Sequence, residues 1–417
     1  MKTLQMARKL QGNMHYSPIR KIMEMAEPKN LVRLGLKPEQ VISFAGGWVN
    51  HEAPEELRKE YLNLIVDKKL FHQSGGYSAT DGDVELRKML SLMEMEIYGL
   101  PDLDADNIII GQSSTQLAFA LMLALLNPKE KVLVFDPTYA NYLEQLSICL
   151  GKQSIVTLKV FDETSWSMQN EDEILASVKE IIREHKVKAI LLSSPDNPTG
   201  HIPSDGFIAR LLQISWALRV FVLIDHAYKA QYFGEMPKHF SFSPNKYENL
   251  ITIHSNSKWC RGLGRRLGWI EANKQVIQAL KAVQQTMILC SDTMHQMALA
   301  NYLRSALPNG SLKKYFEESR NKYLKAAEFT CQCIEKYLKK RCTRPEGGLY
   351  TVVDIGTDGD AFVQEVLKNT GVIFVPGNGF GSSLKSAIRV SFGPLVNDLG
   401  RIEEGFKRVQ DFLQKQV

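Results

Sequence analysis

Cysteine is scarce, with six residues in a chain of 417. Six cannot staple a fold of this length, and Cys331 and Cys333 stand one residue apart rather than in a Cys-x-x-Cys arrangement. Neither a disulfide scaffold nor a zinc site is indicated, and free, mostly buried thiols are expected. Long apolar runs are also missing. The longest, 117–126, is about half of what a bilayer crossing needs and reads as core. The opening stretch, MKTLQMARKLQGNMHYSPIR, carries scattered charges and lacks a continuous apolar segment, so no secretory leader is visible. A cytoplasmic, reducing location and no membrane partner are the expectation.

An excess of one charge is likewise absent. Lys plus Arg number 51 against 46 Asp plus Glu, a net +5, and the two signs alternate along most segments. No basic run with interleaved aromatics stands out, so no nucleic-acid partner is expected. Glycine and proline are modest, no tract is of low complexity, and no period of 20 to 50 residues recurs. Disorder, collagen and solenoid or propeller folds are thereby excluded.

What is present is an ordinary 44% apolar content in a chain long enough for two or three domains at roughly 150 residues each. Short apolar runs end repeatedly in polar turns. Residues 108–110 run into GQSSTQ, 132–135 into DPTYANY, 189–192 into SSPDNPTG, 220–224 into DHAYK and 250–253 into HSNSK. Between them lie helical patterns, such as 171–185 with Ile174, Leu175, Val178, Ile181 and Ile182 on one face. This alternation predicts the α/β class, a mostly parallel sheet between helices. Beyond residue 300 the pattern changes: a long amphipathic helix over 312–338, then strands in GGLYTVVDI and SAIRVSFG separated by a helix over 360–369 and the turn PGNGFG. The spacing suggests a large domain over 46–300 and a smaller α+β domain built from 1–45 and 301–417.

In open α/β sheets ligands bind beyond the carboxyl ends of the strands. This sequence places there Gln112, Ser113, Ser114 and Thr115; Tyr139; Asn197; Asp225 and Tyr228; and Ser255, Ser257 and Lys258. Hydroxyls and amides at a helix start suit a phosphate, an aromatic suits a planar ring, a carboxylate suits a protonated ring nitrogen, and a lysine suits a Schiff base. Pyridoxal 5′-phosphate requires all four.

These motifs resemble the class I/II aminotransferases of the fold-type I pyridoxal-phosphate enzymes, over nearly the whole chain. SNSKWCRGLGRRLGW is similar to the family's S-x-S-K-x₅-G-x-R-x-G signature, with Ser255, Ser257, Lys258, Gly264, Arg266 and Gly268 in register. SSPDNPTG resembles its N-P-T/S-G turn, DHAY its D-x-x-Y, and AIRVSFG carries its small-domain arginine. ISFAGGWVN resembles the family's I-x-F-x-x-G-x-P segment, with Val49 where proline is usual, and GGYSATDGDVELR its Y-x-x-x-x-G-x-x-x-L-R segment. The fold so implied has a large domain with a seven-stranded type of sheet. The activity implied is a ping-pong transamination between an L-amino acid and a 2-oxo acid; another fold-type I reaction on amino acids, by a C-S lyase, decarboxylase or ring-forming synthase, is the alternative.

The resemblance also implies roles. Lys258, otherwise readable as a solvated charge, would hold the cofactor and shuttle a proton, with burial and Arg266 lowering its pKa. Asp225, which could be a simple helix cap, would pair with the ring nitrogen. Asn197 and Tyr228 would bond the cofactor's phenolic oxygen, and Tyr139 would cover the ring. Ser113, Ser114, Thr115, Ser255 and Arg266 would clamp the phosphate, joined by Tyr77 from a second copy in a homodimer with shared sites. Arg389 would grip the substrate α-carboxylate, with Gly46, Gly47 and Asn197 lining the same place. Members specific for dicarboxylates often bring an arginine from the loop that here reads CSDTMHQM; it holds Asp292 instead, expected to attract a basic side chain. Neither Gly-x-Gly stretch makes a dinucleotide fingerprint, GQSST lacks the second glycine of a nucleophile elbow, and His51 has no partner at metalloprotease spacing, so no metal is inferred.

Overall fold

The computed structural model describes residues 18–415, so the parts of the expected small domain at 1–17 and 416–417 lie outside the described residues. Its central sheet has seven strands: β1 (Ile108–Gly111), β2 (Lys131–Asp136), β3 (Ile155–Lys159), β4 (Val187–Ser193), β5 (Phe221–Asp225), β6 (Leu250–Ser255) and β7 (Gly268–Glu271). Their spatial order is β1-β7-β6-β5-β4-β2-β3. Only β7 runs against its neighbours. Strands β1 and β6 are buried at every residue, as a sheet covered on both faces demands. The expected mostly parallel sheet between helices is what forms. Two strands escaped the sequence reading. β3 is a half-exposed edge strand without the buried run of its neighbours, and β7 is four residues long and sits inside the lysine signature.

The helices begin where the chain offers caps. Helix α1 (Val84–Tyr98) starts at Asp83, whose carboxylate accepts from the Leu86 amide, and stops at Gly99 in a left-handed conformation. Helix α2 (Ser114–Leu125) starts at Ser113 and α3 (Ala140–Leu150) just after Tyr139. The predicted helix over 171–185 is α4 (Glu171–His185), with three acids in its first turn and Arg183 and His185 in its last, both favourable to the helix dipole. Helices α5 (Asp205–Ala217), α6 (Lys274–Met287) and α7 (Thr293–Ala306) follow. The long amphipathic segment is α8 (Ser311–Cys333), which begins after Gly310 and continues as a wider turn to Leu338.

A second, three-stranded antiparallel sheet holds β8 (Tyr350–Asp354), β9 (Val375–Pro376) and β10 (Ala387–Ser391) in the order β8-β10-β9. Helices α9 (Gly359–Thr370) and α10 (Leu399–Gln414) belong with it. The early segment joins here too, since Ile42 and Ser43 pair in parallel with Val372 and Ile373. Phe44 stacks on Phe374 at 5.3 Å and meets the tilted Phe406 ring at 5.0 Å. Leu312 and Phe316 at the start of α8 pack with Leu90, Trp259 and Trp269, whereas Tyr323, Ala327 and Ile334 pack with Val352 and Phe374. One helix therefore serves two cores. At the end of β2, Asp136 accepts hydrogen bonds from the amides and hydroxyls of both Ser382 and Ser383. Gly381 has φ +153, and a Cβ there would lie 2.0 Å from an Asp136 carboxylate oxygen, so only glycine permits this close approach.

Candidate active site

The carboxyl ends of β1, β4, β5 and β6 open on a cavity of about 190 Å³. Ser113, Ser114 and Thr115 reach it from the β1–α2 turn, where Ser113 sits at φ +97, a strained conformation of the kind that clusters at functional sites. The turn lies hard against β7: a Cβ on Gly268 would stand 2.6 Å from the Ser114 amide nitrogen, so glycine at that signature position is a packing requirement. Ser255 and Ser257 line the cavity from the end of β6, the Ser255 hydroxyl accepting from the Ser257 amide at 3.1 Å. Arg266, at φ +55 on the exposed rim, also faces it and donates to the Leu263 carbonyl at 2.7 Å. Hydroxyls, a helix N-terminus and a guanidinium thus converge at one end.

Lys258 lines the same cavity. Its Nζ donates to the Gly47 carbonyl and lies 5.5 Å from the Tyr228 ring centroid. Burial, opposed by Asp225 and aided by Arg389 and Arg266, pulls its pKa down to about 8. Asp225, 8% exposed, accepts from the Ala227 amide at 2.8 Å through Oδ1 and from the Tyr142 hydroxyl through Oδ2. Burial raises its pKa, so the carboxylate would gain from a cationic partner. Tyr139 is half-buried on the cavity wall, its phenol pushed up to about 12 by burial. Asn197 lines the wall and accepts from Arg389 Nη1 at 3.0 Å. Arg389 Nη2 donates to the Ala45 carbonyl at 2.7 Å, while its Nε is buried with no partner among the described residues. A buried guanidinium with a free donor and only neutral acceptors is prepared for a carboxylate. Gly46 is buried beneath the Trp48 ring, where a Cβ would fall 2.1 Å from it.

Arg389, Gly46 and Gly47 stand behind the cavity wall rather than in it, Arg389 bonded to Asn197 and the Gly47 carbonyl to Lys258, whereas Tyr77, 86% exposed, lies away from the cavity of its own chain. Asp292 caps α7 by accepting from the His295 amide at 2.6 Å, and borders a neighbouring groove with Tyr61 and Arg265 that shares Arg266 with the cavity. Sequence reasoning missed Tyr142 and Tyr350. Tyr142 lies one helical turn after Tyr139, so its position was available from the spacing; Tyr350 reaches Tyr228 across 122 residues, and no local pattern could show that.

The cavity fits pyridoxal phosphate on its own chemistry: an anion-binding set of hydroxyls and a guanidinium, an aromatic wall, a buried carboxylate with no ion pair among the described residues, and a lysine of depressed pKa. Sheet and site together define a fold-type I pyridoxal-phosphate enzyme. A model of the family described as aminotransferase class I and II matches residues 39–400, and the chain belongs to that family. The aspartate aminotransferase of Thermotoga maritima is 25% identical over 400 residues, covering 95% of this chain and 97% of that one. A (5-formylfuran-3-yl)methyl phosphate transaminase of Methanocaldococcus jannaschii is 28% identical over 388 residues, covering 92% and 94%. The solved aspartate aminotransferase from Thermus thermophilus with maleate has the same fold, with a TM-score of 0.82 at 22% identity over 98% of this chain and 100% of that one. Family membership makes the protein a pyridoxal-phosphate-dependent amino-acid transaminase.

Proposed function

We propose that this transaminase moves the amino group of an L-amino acid to a 2-oxo acid in two half-reactions at a single site, with Lys258 as its proton carrier. The observation that carries the reading is the state of Lys258: a half-buried lysine whose amine lines the cavity and is bonded to a carbonyl rather than a carboxylate, with a pKa that falls to about 8. Such an amine is available in neutral form near physiological pH. Pyridoxal phosphate, when bound, supplies the carbonyl that receives the amino group and a ring that accepts the electron pair left at Cα. Asp225 would present its negative charge to the ring nitrogen and keep that nitrogen protonated. Asn197 and Tyr228 would donate to the phenolic oxygen, and Tyr139 would cover the ring face. Ser113, Ser114, Thr115, Ser255, Arg266 and the α2 N-terminus would hold the phosphate. Arg389 would orient the α-carboxylate, with Gly46 and Gly47 leaving room beside it, so that the Cα hydrogen faces Lys258 Nζ.

The reading includes a homodimer. Leu62, Ile65, Val66 and Phe71 are 45–75% exposed on the two helices Glu55–Val66 and Lys68–Ser74, just before the exposed Tyr77. An apolar face of this kind calls for a cover, and a second copy would carry Tyr77 to its neighbour's phosphate. We also assign residues 46–300 to the large cofactor-binding domain and 1–45 with 301–417 to the small one. The six free thiols support a cytoplasmic setting.

The test is spectroscopic. The protein loaded with pyridoxal phosphate receives a pulse of amino acid with no 2-oxo acid present. The chromophore should convert to the amine form with stoichiometric release of a 2-oxo acid, and a second 2-oxo acid should restore it. Release of ammonia or pyruvate without conversion of the chromophore would replace this reading with a lyase.

A further inference from the structure

Tyr350 opens β8, and the antiparallel pairing of β8 with β10 sets Val352 opposite Arg389 and Tyr350 opposite Ser391. Tyr350 and Arg389 are therefore diagonal neighbours on one face of the small sheet. The Arg389 guanidinium lies over the Tyr350 ring, 4.3 Å from its centroid, and 4.8 Å from that of Phe380. Two aromatic faces thus flank a buried cation. At its far end the Tyr350 hydroxyl meets the Tyr228 hydroxyl at 2.6 Å, with the two rings edge to face at 82°. The same hydroxyl would stand 2.7 Å from a Cβ placed on Gly47, whose carbonyl accepts from Lys258. Tyr350 is 1% exposed and does not line the cavity, whereas Tyr228 does.

We propose that Tyr350 is a positioning residue that ties Arg389 to the Tyr228 hydroxyl, so that one side chain sets both the plane of the guanidinium and the direction of the Tyr228 proton. The inference rests on the site reading above. Burial keeps both phenols protonated, so the pair holds two protons and spends one between them. Tyr228 is the member facing the cavity, and a phenolic oxygen there needs a donor. With the cofactor bound, the Tyr228 proton would point inward and its oxygen would accept from Tyr350. A hydroxyl that accepts one hydrogen bond donates the next more strongly. Tyr350 thereby strengthens a bond it does not make, and the platform it offers Arg389 links that effect to the carboxylate site.

Two substitutions separate the two ends of this strut. Tyr350→Phe keeps the ring under Arg389 and removes only the hydroxyl; Tyr350→Leu removes both. The proteins are loaded with pyridoxal phosphate, and the absorbance of the bound chromophore is titrated with pH in the absence of amino acid. With Tyr350→Phe the midpoint should rise by about half a unit or more, the scale of one neutral hydrogen bond. The same change in a Tyr228→Phe background should add nothing, which a merely structural role would not predict. Binding of 2-aminoisobutyrate, which has no Cα proton to lose, should weaken about tenfold in Tyr350→Leu and stay within roughly twofold in Tyr350→Phe. A midpoint that stays or falls in Tyr350→Phe, or an equal shift in both backgrounds, overturns the proposal. A wild-type protein that takes up no chromophore overturns instead the reading of the site.

Discussion

Two lysines flank the end of β5, Lys229 buried and Lys258 half-buried, and they have opposite fates. Within DHAYK, Asp225 and Tyr228 line the Lys258 cavity, while His226 and Lys229 line a void of only about 10 Å³, room for a single water at most. There Lys229 pairs with Glu94, both side chains almost wholly buried, and lies 4.2 Å from the Tyr98 ring centroid. His254 approaches Glu271 at 3.3 Å and stacks on Trp269 at 5.1 Å. Donor atoms of Glu94, His254 and Glu271 lie within 4.8 Å of one another, a spacing that could suit a metal, but the Lys229 ammonium already supplies the cation. Lys258, by contrast, has a carbonyl for a partner and a cavity beside it. Burial alone does not make a lysine reactive. Withholding the counter-ion, and leaving space, does.

The most severe test of that contrast exchanges the two lysines' fates. Lys258→Ala should lower kcat by roughly 10³-fold or more while leaving the thermal midpoint of the cofactor-free protein at or above wild type, since it removes a charge that is costly to bury. Lys229→Met should do the reverse. Turnover per folded molecule should stay within a few-fold, but leaving Glu94 buried without its cation should cost about 3–5 kcal/mol in urea denaturation. Loss of turnover in a folded Lys229→Met protein would break the comparison. Next in size, Arg389→Lys should raise the amino-donor KM about tenfold or more, because an ammonium cannot offer the planar two-point contact.

A pH series sharpens the same contrast. The Lys258 pKa is about 8 in the folded protein against 10.5 ordinarily. Below 8 both folded and unfolded chains hold the proton, and the cost of burying the charge is fully present. Between 8 and 10.5 the folded chain has released the proton while the unfolded one retains it, so the stability of the cofactor-free protein should rise with pH across that window. Lys258→Met should abolish the rise. The rate of pyridoxal-phosphate uptake should climb through the same midpoint, since only the neutral amine adds to an aldehyde. The smallest effect is expected at Asp292: Asp292→Asn preserves a good cap and should leave turnover of lysine and arginine donors unchanged, whereas Asp292→Ala should cost about 1 kcal/mol of stability.

Much of the sheet could be read in advance because each buried strand ends abruptly in polar residues, and those residues are the ones the fold gathers. Lys258, Asp225 and Asn197 stood out since their neighbours in sequence are also their neighbours in space. Tyr350 and Arg389 did not reveal their partnership, which arises from cross-strand register in a different sheet. The edge strand β3 was hidden by its mixed polarity. Tyr77 stays exposed in the single chain, so its tie to the site was legible only through the family resemblance.

The anchoring of Asp136 bears on how substrate arrives. Its carboxylate is held by amide and hydroxyl donors from Ser382 and Ser383, and the Thr138 amide bonds the Phe380 carbonyl at 2.8 Å. Parting these would strand a carboxylate and several amides at once. The 377–384 turn and the segment leading to Tyr139 must then travel as one piece. Any hinge motion that admits an amino acid would have to turn about this point.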